Sequence, residues 1–117
     1  MSAATLALVG LAGGAGAVAR FVVDGAVAAR TVSEFPFGTL VVNLTGTFAL
    51  GVLVGAAVHG DAYRIAGTGA LGGYTTFSTW MFESQRLGED GELGLGALNL
   101  AASLVAGVLA IWIGRAL

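Results

Sequence analysis

Apolar residues gather into four long runs along this chain, and charged residues fall almost entirely between them. Residues 5–23 read TLALVGLAGGAGAVARFVV, interrupted only by Arg20 near the end. The stretch DGAVAARTVSEFPFG follows, with Asp24, Arg30, Glu34 and the only proline, Pro36. Residues 39–58, TLVVNLTGTFALGVLVGAAV, carry no charge, and HGDAYR after them forms a polar turn. Residues 65–82 are again uncharged, and ESQRLGEDGE at 83–92 holds four acids and one arginine. The last run covers 93–113, with Arg115 just beyond it. A membrane-spanning helix needs roughly 20 apolar residues. Barrel strands would alternate apolar and polar positions, and these runs do not. The pattern predicts an all-α membrane protein with one domain over 1–117 and four transmembrane helices at about 4–23, 38–58, 64–85 and 93–114.

Composition agrees. Of 117 residues, 56% are hydrophobic and 10% charged, against about 25% charged in an average soluble domain. With no cysteine and one histidine, His59, neither a disulfide nor a thiolate or multi-histidine metal site is available. The net charge of −2 and the absence of lysine leave no basic patch for nucleic acid. The first run lacks a positive flank and exceeds a signal-peptide core in length, so it reads as a helix rather than a cleaved leader.

Orientation in a membrane follows Lys and Arg in short loops. Four spans would put Arg64 and Arg115 on one side and Arg30 and Arg86 on the other, with Arg20 at a helix end. This near balance predicts insertion in both directions and an antiparallel, dual-topology dimer. The glycines at 13, 14 and 16 with Ala17, and those at 46, 51 and 55, have the small-residue spacing of close helix contacts.

Polar residues inside the runs are few. Asn43 is the only amide in the second run, and Asn99 and Ser103 share a face of the fourth at i and i+4. Singly, each fits interhelical hydrogen bonding; as a set they suggest a polar track. The third run contains GGYTTFSTW, residues 72–80. Paired glycines before β-branched threonines weaken a helix, so a break is predicted near 72–76. Two readings stand: a kink with hydroxyls bonded back to the preceding turn, or an unwound segment whose freed carbonyls bind a hard cation.

GGYTTFSTW, with Gly69 before it and Glu83 after it, resembles the signature of the Fluc fluoride channels, also called the CrcB family. The likeness extends to Gly13-Gly14 through Arg20-Phe21 and to Gly38-Thr39-Leu40-Val41-Val42-Asn43 with Gly46, and so covers the chain. It implies a passive, fluoride-selective channel of the cell membrane that lowers cytoplasmic fluoride and protects against its toxicity. It further implies an antiparallel homodimer with two pores and a structural, untransported Na⁺ held by the backbone carbonyls of Gly72 and Thr75. By motif, the fluoride path is expected to comprise Asn43, Phe77, Ser78, Trp80 and Ser103, with Arg20 near a mouth. Trp80 stands where the family has a second phenylalanine and would add an indole N–H donor; Asn99 stands where tyrosine is common. No enzymatic activity is expected.

Two other classes compete. A small dual-topology multidrug exporter needs an acid within its first helix, which here holds Arg20, the nearest acid being Asp24 beyond its expected end. A non-conducting subunit paired with a paralogue should show a clear arginine bias, and this chain shows little.

Overall fold

The computed structural model describes all 117 residues, and every regular element is helical. Helix α1 spans Ala3–Arg30, α2 Phe37–Gly55, α3 Gly60–Tyr63, α4 Gly72–Tyr74, α5 Phe77–Glu89 and α6 Leu93–Ala116. A π-helical segment, Arg64–Leu71, joins α3 to α4 without interruption. Three of these helices, α1, α2 and α6, are long and apolar enough to cross a membrane, with mean hydropathies of 1.9, 1.8 and 2.0. The protein is a multi-pass membrane protein.

Helix α1 starts where Ser2 caps it, its Oγ accepting from the Thr5 N–H at 3.1 Å. It runs beyond the expected 4–23, taking in Asp24, because AVAAR at 26–30 contains good helix formers that carry it past the single Gly25. Arg30 closes its last turn by donating to the Ala26 carbonyl at 3.0 Å. Helix α2 stops short of the expected 58: Ala57 adopts φ 58°, and the Val58 N–H reaches back to the Leu53 carbonyl. In place of the α-helix expected at 64–71, the structure has wider π turns. Four of the ten residues 64–73 are glycine, which leaves the backbone weakly committed to α geometry.

Two seams assemble the bundle. Helix α2 lies along α6, and α1 lies along the π segment and α4. Both seams depend on missing Cβ atoms. A Cβ on Gly51 would collide with the Ile111 carbonyl, and one on Gly16 with the Ala70 carbonyl. Gly14, expected in the same patch as Gly13 and Gly16, faces away and meets nothing. The 100° step per residue puts it on the side of α1 opposite the seam. Only 16 residues are buried, so most apolar side chains face outward, as lipid allows. The two most deeply buried larger side chains are Val42 and Asn99.

Candidate functional site

The third run does break, and the break is narrower than the sequence suggests. Gly72–Tyr74 remains helical, and only Thr75 (φ −80°, ψ 159°) and Thr76 (φ −146°, ψ 117°) are extended. Thr75 ends one half, its N–H and its Oγ both bonding the Leu71 carbonyl at 2.9 and 3.0 Å. Thr76 begins the other as the N-cap of α5, its Oγ accepting from the Thr79 N–H at 3.2 Å. A threonine at the N-cap position is the sequence signal that could have located the start of α5.

Asn43 of α2 holds the unwound backbone. Its Oδ1 accepts from the Thr76 N–H at 2.8 Å, and its Nδ2 donates to the Thr76 carbonyl at 2.9 Å. The side-chain amide thus replaces a helical neighbour for both groups of Thr76, which is only 9% exposed. One Nδ2 hydrogen is committed and one is free. Because Thr76 N–H points at Asn43, the Gly72 carbonyl lacks its usual i+4 donor. No backbone N–H reaches the Thr75 carbonyl. Such carbonyls are hard oxygen donors suited to a hard cation. There is no cluster of three or more acidic, histidine or cysteine side chains able to hold a metal.

Beside the break, a groove of about 390 Å³ opens between α2, α5 and α6. It is lined by Asn43, Phe77, Trp80, Ser103 and the threonines Thr47, Thr75 and Thr76 among apolar neighbours, and no ionisable side chain enters it. Phe77 is 70% exposed within this single chain. Its ring meets Trp80 edge to face, with centroids 5.7 Å apart and an interplanar angle of 83°. Four of the six expected path residues therefore converge. Ser78 does not line the groove: it is exposed, with its Oγ 3.5 Å from Thr76 Oγ. Arg20 lies elsewhere, in a second cavity of about 310 Å³ that it shares with Asp24, Thr39, Thr76 and Thr79. Thr76 touches both spaces and so separates them.

The expectation that the Trp80 indole offers a free donor does not hold. Its Nε1–H donates to the Asn99 carbonyl at 3.1 Å. Asn99, only 1% exposed, also donates from Nδ2 to Ser84 Oγ at 2.8 Å. Burial explains both contacts, since an amide in an apolar bundle must find partners. Ser84 lay outside the sequence reading because its role depends on a neighbouring helix.

At the middle of α5, Thr39 donates to Glu83 Oε1 at 2.5 Å, tying α2 to α5. The motif residues of three separate runs are thus joined: Thr39 and Asn43 to the third, and Trp80 to the fourth through Asn99.

The family described as CrcB-like protein, Camphor Resistance (CrcB), matches residues 7–115. The chain belongs to the CrcB family. Relatives include a protein of Mycolicibacterium paratuberculosis named fluoride-specific ion channel FluC 2, which is 54% identical over 93% of this chain and 89% of its own length. The Mycobacterium tuberculosis (strain H37Rv) FluC 2 is 51% identical over 90% of this chain and 83% of itself. A FluC 1 of Rubrobacter xylanophilus is 44% identical, over 97% and 93% respectively. The matched span includes the break, the Asn43 clamp and the whole groove.

Proposed function

We propose that this protein is a fluoride channel that exports the ion passively and lowers its cytoplasmic concentration. The observation that carries the reading is the groove itself. Asn43, Phe77, Trp80 and Ser103 come from three helices to line one uncharged space, in a chain about half identical to proteins named fluoride-specific channels. HF crosses lipid as the neutral acid and dissociates inside, trapping the anion. A passive path returns it without ATP or proton exchange. Fluoride is small and strongly hydrated, so the path must replace water with donors. Asn43 contributes its free N–H, and Ser103 a hydroxyl. Ring edges of Phe77 and Trp80 contribute electropositive C–H, because the quadrupole is negative on the face and positive at the rim.

In this reading the interrupted segment 60–89 is the fourth crossing, made of two half-helices in series. The working unit is an antiparallel homodimer in which the exposed Phe77 side of one chain meets a second copy. Near-balanced arginines support dual insertion. Arg20 stands at the approach to the break, and Ser78 faces the partner side. The Gly72 and Thr75 carbonyls would hold a structural Na⁺ near the two-fold axis, whose charge fixes the half-helices.

The test is fluoride efflux from liposomes containing only this protein. Rapid fluoride release with little chloride release is expected. Absence of fluoride release from correctly assembled protein overturns the reading, and release only after a related chain is added assigns a heterodimer instead.

A further inference from the structure

The donors around the groove are not independent, and the direction of each hydrogen bond is forced. Ser84 gives its single proton to the Trp80 carbonyl, 2.8 Å away and one turn earlier in α5. Towards Asn99 it can therefore only accept, which it does from Nδ2 at 2.8 Å. That turns the amide so that Oδ1 faces Ser103. An amide oxygen only accepts, so Ser103 is the donor in their 3.3 Å contact. That distance is long for an O–H···O bond, and the proton is weakly held.

A serine within a helix ordinarily turns its hydroxyl onto the carbonyl four residues back. For Ser103 that carbonyl belongs to Asn99. It already takes the helical N–H bond of α6 and, in addition, the Trp80 indole at 3.1 Å. Both lone pairs are occupied, and the strong resting place for the Ser103 proton is blocked. Thr47 and Thr75 give their protons to backbone carbonyls and Thr76 gives its own to Thr79 Oγ at 3.0 Å, so Ser103 holds the most weakly bound hydroxyl proton on the groove.

We infer that Asn99 and Trp80 are positioning residues that keep the Ser103 hydroxyl as a switchable donor. Its proton rests on Asn99 Oδ1 when the groove is empty and turns to a small hydrogen-bond-accepting anion when one arrives. Binding is weakened by the competing acceptor, which suits conduction, since an ion must leave as readily as it enters. The inference rests on the fluoride-channel reading and predicts shifts of opposite sign for its two positioning residues, which general damage to folding does not produce.

The experiment measures fluoride flux against fluoride concentration for the full-length, assembled protein in liposomes. Asn99→Leu removes the resting acceptor and leaves the proton to the anion. The half-saturating concentration should fall about three- to tenfold, the factor one net hydrogen bond carries, and maximal flux should fall with it. Trp80→Phe frees the Asn99 carbonyl for Ser103. The half-saturating concentration should rise by about the same factor while transport persists. Ser84→Ala, a smaller change that serves if Asn99→Leu fails to assemble, lets the amide turn over and present Nδ2 to Ser103. It should shift the value in the same direction as Asn99→Leu. Shifts of one sign for Asn99→Leu and Trp80→Phe, or no shift in either, overturn the inference. A parent protein without fluoride flux overturns the channel reading instead.

Discussion

Replacing Asn43 by leucine should damage the fold before it damages conduction. Leucine keeps the branched shape, though not the size, and loses both bonds to Thr76, at 2.8 and 2.9 Å. Thr76 is buried, so its N–H and carbonyl would each be left without a partner. An unsatisfied buried polar group costs about 1–3 kcal/mol, which makes about 2–6 kcal/mol for the pair. Typical domains have a net stability of about 5–15 kcal/mol, so the loss is a large fraction. Asn43→Asp keeps the acceptor for the Thr76 N–H but sets a carboxylate against the Thr76 carbonyl, and should fall below the parent as well. The assay is thermal unfolding of the purified protein in detergent, followed by fluoride efflux at matched amounts of assembled protein. Asn43→Leu should unfold at a clearly lower temperature and, where it assembles, conduct at least about tenfold more slowly, the factor for 1.4 kcal/mol. If it loses flux while unfolding at the parent temperature, Asn43 serves the ion alone and the clamp argument is wrong. If it loses neither, the break is held by something else.

Phe77→Ile keeps apolar bulk and removes an electropositive ring edge, so efflux should drop while the amount of assembled protein stays near the parent; equal efflux would place the path elsewhere. Gly114→Val puts a side chain against the Phe48 carbonyl in the α2–α6 seam, and should lower stability by about 1–3 kcal/mol or more in an unfolding assay. Gly14→Val, facing open space on α1, should leave it within about 0.5 kcal/mol. Adding two lysines after Leu117 should bias insertion and reduce activity, and coexpression with an oppositely biased copy should restore it; a C-terminal tag found on one face only in the active parent would defeat dual insertion.

Much of the candidate site was legible because lipid makes polar residues scarce. In the second run Asn43 is the only amide, and an amide that must find a partner there announces a contact. The double glycine before Thr75 and Thr76 marked the break for a local reason, weak helix propensity. What those signals could not give is which group pairs with which. Asn43 reads equally as a donor to an ion and as a clamp on backbone; its two bonds to Thr76 establish the clamp and leave one N–H over for the groove. Trp80 reads as a free indole until α6 brings the Asn99 carbonyl within 3.1 Å. Ser84 and Asn99 stand 15 residues apart and meet only because α5 packs on α6. Ser78 sits beside Phe77 in one motif, yet helix rotation turns it out of the groove, and Arg20 lies on α1, which does not line it. Periodicity and the cost of unpaired polar groups in lipid determine where helices run and where they fail, because both act within a few residues. The destination of each donor is set by helix packing across long sequence separations, and for that the tertiary structure alone decides.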